Sequence, residues 1–201
     1  MPIDLAATHN WVTEEVRSSR TIESSMRRLI ERCHHCRPHS DWQRLHALDY
    51  SLLASLREWF SGVFRSEPPA ATIRGLWFGL FNPCLADGTP TADIYVSGSE
   101  RFSSDPHDNS WAVGPEWWPD SRYAESSVLS DIYGIAYETN ALDPLQNDAE
   151  YPLCLAYGSL VVRDLLRESL PRLAEPVGAA VGFDSGDFIV LGSRYQGAAS
   201  E

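Results

Sequence analysis

The chain has no lysine: all sixteen basic side chains among its 201 residues are arginine. That absence removes every chemistry that needs an ammonium group, including the Walker phosphate loop, kinase-type phosphoryl transfer, Schiff-base and pyridoxal enzymes, and Ser-Lys hydrolases. No apolar run reaches 18 residues, so no stretch reads as a membrane-spanning helix. The first thirty residues carry Asp4, Glu14, Glu15 and Glu23, where a secretory leader needs basic residues followed by an apolar core. The expected location is cytoplasmic. Cysteine is sparse, and Cys33, Cys36, Cys84 and Cys154 lack the spacing of a secreted disulfide framework, so reduced thiols are expected. Also missing are a Gly-x-Ser-x-Gly elbow, a His-Glu-x-x-His, and a deaminase His-x-Glu with Pro-Cys-x-x-Cys. Without a nucleophile set the expectation is a protein that is not an enzyme and needs no cofactor.

What is present is an ordinary globular composition, 43% hydrophobic and 22% charged, long enough for one sizeable core. Charge is unevenly placed. Residues 1–65 hold nine Arg against eight Asp and Glu, a net of +1, whereas residues 66–201 hold seven Arg against twenty acids, a net of −13. Nucleic-acid binding needs the opposite sign, because phosphate contacts dominate that affinity. The acidic part suits a basic partner, although acidity also serves solubility.

The segment Leu76-Trp77-Phe78-Gly79-Leu80-Phe81, a Pro/Gly turn and the alternating Thr91-Ala92-Asp93-Ile94-Tyr95-Val96 read as a β-hairpin. Its first strand is apolar at nearly every position, which predicts a central strand covered on both faces. Before it, a helix is predicted from about Trp11 to Cys33, with Ile22, Met26, Leu29, Ile30 and Cys33 on one face. A second runs from a capping box at Ser40 to about Phe64, and the two form an antiparallel hairpin. Ser66-Glu67-Pro68-Pro69-Ala70-Ala71 reads as a linker. A third helix is predicted from Arg122 to Glu138, capped by Asp120. A fourth follows Asn147-Asp148-Ala149-Glu150, with Pro152 in its first turn and Pro171 as its stop. A closing hairpin joins 179–183 to 188–192 through Asp184-Ser185-Gly186-Asp187. The predicted fold class is α+β in the order α-α-β-β-α-α-β-β, a single antiparallel sheet of two hairpins with two helices packed on it. The predicted division is a helical hairpin subdomain at 1–65, an acidic α+β domain at 72–195 and a flexible tail at 196–201.

Several clusters carry possible chemistry. Cys33-His34-His35-Cys36 with His39 holds preferred zinc ligands, Cys33, Cys36 and His39, but no second half-site. The preferred reading is a His-rich helix terminus packed by its two cysteines, with no metal bound. Asp184 and Asp187 share one tight turn, and Asp148 and Glu150 another; such oxygens suit a divalent cation or acid/base work, as in a metal-dependent hydrolase, and suit turn and cap chemistry as well. The connection 103–121 is different: it holds three Trp and three Pro, and so many tryptophans argue against disorder. Asp105, Asp108, Trp111, Glu116, Trp117, Trp118 and Asp120 therefore form the preferred partner-binding set, with Asp184 and Asp187 as second contacts. The competing reading is that the three indoles close the core beside Trp77.

Four segments, 79–83, 111–119, 147–155 and 182–188, look similar to uncharacterised bacterial proteins from high-GC genomes, some of which resemble immunity proteins of polymorphic or type VI-delivered toxin systems. The likeness covers about residues 72–193 and brings no catalytic residues with it. It implies a protein that binds and neutralises a cognate toxin inside the producing cell, by covering the toxin's active site; the acidity of residues 66–201 adds the expectation that the toxin presents a basic face. No nucleic acid or membrane partner is expected. The free chain is expected as a monomer, or as a dimer through its helical hairpin.

Overall fold

In the computed structural model, residues 2–138, 142–169, 176–184 and 186–195 are described. Among them the chain forms six α-helices and one five-stranded sheet, an α+β fold. The predicted tail at 196–201, Pro171 and Ser185 lie outside the described residues.

The N-terminal part has four helices instead of the expected two: α1 (Leu5–Arg17), α2 (Ile22–Cys36), α3 (Asp41–His46) and α4 (Ala54–Ser66). The predicted helix 11–33 breaks at residues 18–21, where Thr21 caps α2 by accepting from the Ser24 N–H at 3.3 Å. Carbonyls freed by the break need donors, since an unpaired buried carbonyl is costly. Arg163, only 3% exposed, supplies them: Nη1 donates to the carbonyls of Val16 (3.2 Å) and Ser18 (3.1 Å), and Nη2 to that of Arg20 (3.1 Å). The second predicted helix breaks at residues 47–53. There the buried Tyr50 donates its hydroxyl to the Leu45 carbonyl at 2.7 Å, closing the end of α3. Ser40 makes no side-chain cap, so the capping box is not formed.

The sheet has the order β3-β2-β1-β4-β5, from β1 (Gly75–Phe81), β2 (Asp93–Ser99), β3 (Tyr123–Ala124), β4 (Val177–Phe183) and β5 (Phe188–Tyr195). Both predicted hairpins are present, and β1 is central as expected. The sheet is mixed, however, because β1 and β4 pair in parallel. The reason is the connection. After β2 the chain forms α5 (Ser127–Ala136) and the 23-residue α6 (Asn147–Ser169), and a helix about 34 Å long returns the chain to run beside β1 in the same direction. The third predicted helix is shorter than expected: Ser126 caps it by accepting from Leu129 N–H, and Tyr123–Ala124 pair with β2 instead. Asp120 caps nothing. Pro152 is the sixth residue of α6, beyond its first turn.

Leu76, Phe78 and Leu80 face inward with Ile94, Val96, Val181 and Ile189, against an α6 that is buried on every side from Tyr151 to Val162. The same apolar cluster includes Met26, Leu29, Phe60 and Phe64, so the N-terminal helices and the sheet share it. An α-helix apolar all round belongs in such an interior. Among the described residues no helix is long and apolar enough to cross a membrane.

Candidate functional site

The alternation that sends Leu76, Phe78 and Leu80 inward sends Trp77, Gly79 and Phe81 outward, and the register places Tyr95 opposite Gly79. A methyl group at 79 would overlap the Tyr95 ring, so glycine lets that ring lie across β1. From there Tyr95 reaches both neighbours. Its ring centroid is 5.9 Å from Phe81, 6.0 Å from Tyr123 and 5.6 Å from Trp118, and its hydroxyl donates to Asp184 Oδ1 at 2.6 Å. Phe81 and Tyr123 lie 5.3 Å apart. Tilted and edge-on rings at these separations are mutually attractive. The Arg122 guanidinium sits 4.5 Å from the ring centroids of both Trp118 and Tyr123, donating to the Pro119 carbonyl at 3.0 Å while its buried Nε has no partner. Trp118 is 46% and Tyr123 49% exposed. The outer sheet face thus presents an open plate of four rings and one arginine.

The rest of the outer face is closed. Trp111, 2% exposed, packs edge-on to Trp77 at 6.1 Å and to Phe102 at 5.0 Å. Trp117, 8% exposed, belongs instead to the main core on the inner side: it packs on Phe64 at 5.3 Å and donates its indole N–H to the Glu67 carbonyl at 2.9 Å. Of the three predicted partner-binding tryptophans, two are interior and only Trp118 offers a surface. Glu67, read from sequence as linker, organises the approach to the plate. Its carboxylate accepts from Asp120 N–H, Ser121 N–H and the Ser121 hydroxyl, and the hydroxyl bond first among these holds its pKa below the ordinary value.

The predicted acids do not converge. Asp105 accepts from His107 N–H and Asp108 from the hydroxyl and N–H of Ser110, both local turn bonds, whereas Glu116 accepts from Glu100 N–H at the end of β2; the bonds to Asp108 and Glu116 lower their pKa values. Asp120 is exposed beside Trp118. Asp184 and Asp187 are brought together with residues far away in the chain. An open cleft of about 390 Å³ lies beyond the last residues of β1 and β4 and the first turn of α6, lined by Asn82, Asn147, Glu150, Tyr151, Asp184 and Asp187, with Phe81 and Phe183 among its apolar walls. Tyr151 donates to Asp187 Oδ2 at 2.6 Å and Tyr137 to Glu150 Oε2. The hydroxyls of Tyr95, Tyr137 and Tyr151 are all pushed above the ordinary range, by burial first and by their carboxylate partners second.

Asp148, grouped with Glu150 from sequence, is a structural residue: it is buried, accepts from Ile3 N–H, and pairs with Arg37 at 2.7 Å. Cys33, Cys36 and His39 do not assemble a zinc site. Cys33 is fully buried in the core with its pKa pushed up to about 12 by that burial, Cys36 is exposed, and His39 Nδ1 accepts from Asp41 N–H. Among the described residues no group of three His, Cys, Asp or Glu side chains is placed to hold a metal ion, and no His ring nitrogen bonds a Ser, Thr or Cys side chain. The sequence reading missed Phe81, Tyr95, Arg122 and Tyr123; the two-residue alternation of Tyr95 against Ile94 and Val96 was the available signal.

Comparison with protein-family models, curated proteins and solved structures finds no match for this chain.

Proposed function

We propose that this chain is a non-catalytic binding protein that neutralises a partner protein by covering it, as an immunity protein does a cognate toxin in the cytoplasm of the producing cell. One observation carries this reading: the aromatic plate in which the exposed Trp118 and Tyr123 flank Arg122 and extend over the half-buried Phe81 and Tyr95. Trp, Tyr and Arg dominate binding hot spots, because they bury much area at little entropic cost and combine apolar with polar contact. Asp184 is exposed and bonded to Tyr95, Asp120 and Glu125 are exposed two residues along the chain from Trp118 and Tyr123, and the excess of carboxylates over residues 66–201 favours a basic partner and speeds its approach.

The test is affinity capture from the producing cell with the tagged chain and with a Trp118→Ala/Tyr123→Ala variant. A basic protein retained in near-equal amount by the native chain, silenced by it in an activity assay, and bound at least tenfold more weakly by the variant supports the reading, since truncating two hot-spot residues costs about 2 kcal/mol or more. Equal affinity for both chains overturns it.

A further inference from the structure

The aromatic plate continues into the cleft. Phe81 belongs to both, and Asp184 stands at the junction, bonded to Tyr95 of the plate and lining the cleft. Beyond the junction Tyr151 and Phe183 stack at 5.9 Å and 22°.

Three carboxylates line this end, Glu150, Asp184 and Asp187, and no arginine does. Elsewhere arginines pair with Glu14, Glu15, Glu23, Asp41, Glu138, Asp143, Asp148, Asp164 and Glu168. Glu150, Asp184 and Asp187 make no ion pair among the described residues. Each accepts one phenol hydrogen, and a carboxylate offers about four acceptor directions. The cleft therefore combines unneutralised negative charge, spare acceptors and aromatic walls.

That combination sorts ligands by chemistry. Anions are repelled. A bare metal ion lacks a set of converging ligands among the described residues. An ammonium matches the charge, but as a compact, strongly hydrated point charge with no flat face to stack it gains less from the aromatic walls. A guanidinium matches both, because it is planar, carries five donors, stacks on rings and is weakly hydrated.

Resting on the inhibitor reading above, we infer that the plate and the cleft form one docking groove for an arginine-bearing segment of the partner protein. The guanidinium enters among Glu150, Asp184 and Asp187, and neighbouring apolar side chains lie on Phe81, Tyr95 and Trp118.

The probe is a synthetic peptide, acetyl-Gly-Leu-Arg-Leu-Gly-amide, titrated into the full chain in moderate salt. Two-dimensional NMR follows the backbone amides of Asn82, Asn147 and Gly186 and the Trp118 indole. Uncharged citrulline and lysine versions serve as comparisons, and a Glu150→Gln/Asp187→Asn variant keeps an acceptor oxygen for each phenol while removing two charges. The expected result is saturable shifts at both ends of the groove, with the citrulline peptide and the double variant each weaker by roughly tenfold or more. The lysine peptide is expected to fall in between, and Trp118→Ala to weaken binding without moving the amides of the cleft in the free protein. Absence of saturable shifts, or equal affinity for the arginine and citrulline peptides, overturns the inference. Equal affinity for the lysine peptide overturns the guanidinium assignment. Because the probe is synthetic, its failure leaves the capture experiment on the native partner as an independent test of the inhibitor reading.

Discussion

Replacing Arg163 by Met should destabilise the protein by about 3 kcal/mol, because one guanidinium satisfies three backbone carbonyls at the break between α1 and α2. The three bonds measure 3.2, 3.1 and 3.1 Å, and the first, to Val16, is buried. Met fills much of the same volume, so the cost comes mainly from stranded acceptors rather than a void. The Val16 carbonyl bears the full desolvation penalty, roughly 1–3 kcal/mol. The part-buried Ser18 and Arg20 carbonyls recover some hydration and add about 1 kcal/mol together. Asp164, which accepts from Arg163 Nε at 2.7 Å and is 25% exposed, turns to solvent and adds little. With a urea m value of about 3 kcal/mol/M for a chain of this size, the midpoint falls by about 1 M. Urea unfolding followed by tryptophan fluorescence measures it. Arg163→Lys should recover only part of the loss, since one ammonium cannot span three carbonyls in that geometry, and Asp164→Ala should cost less than about 1 kcal/mol. A midpoint for Arg163→Met within 0.2 M of the native chain, roughly 0.6 kcal/mol on the same slope, refutes the argument that α6 supplies what the helix break requires.

Further outcomes follow from the same contacts. Gly79→Ala should lower the thermal midpoint, at a cost of about 1–3 kcal/mol, because the new methyl displaces the Tyr95 ring and with it the bond to Asp184. Gly134→Ala, with open space around the position in α5, should stabilise by about 0.5–1 kcal/mol; the same melt decides both. With Ellman's reagent on the native protein, the exposed Cys36 and Cys84 should react promptly and the buried Cys33 and Cys154 only after unfolding. Prompt reaction of Cys33 would contradict its burial. The folded Glu67 carboxyl holds its proton less tightly than the unfolded one, since Ser121 and the Asp120 amide bond the ionised form. Its stabilisation is complete above the ordinary carboxylate value of 4.5 and is lost as pH falls through the lower folded value. Hydrogen exchange at the amides of Asp120 and Ser121 should therefore lose protection, relative to the intrinsic rate, as pH falls below the ordinary value and through the lower folded one, and Glu67→Gln should remove that pH dependence. An unchanged profile in the Gln variant would assign it to other groups.

Local patterning alone determined the two hairpins, the central position of Leu76–Phe81, the amphipathic character of the N-terminal segment and the surplus of carboxylates after residue 66. These are legible because alternation, turn residues and charge act over a few neighbours. The lack of lysine likewise excludes whole reaction classes before any fold is known. Only tertiary structure decided where the long helices break, because the groups that stabilise the breaks include Arg163, which lies 143 residues from Arg20. It decided that the hairpins join in parallel, since the return path depends on how α6 crosses the sheet. The three indoles of 103–121 have the same residue type and similar surroundings in sequence, yet two are buried and one exposed; the difference lies in whether Gly75, Phe64 or solvent faces the ring. The cleft draws Asn82 from the end of β1, Glu150 and Tyr151 from α6, and Asp184 and Asp187 from the last turn. No local periodicity encodes that meeting, because packing of the elements, not spacing along the chain, sets which side chains share a wall.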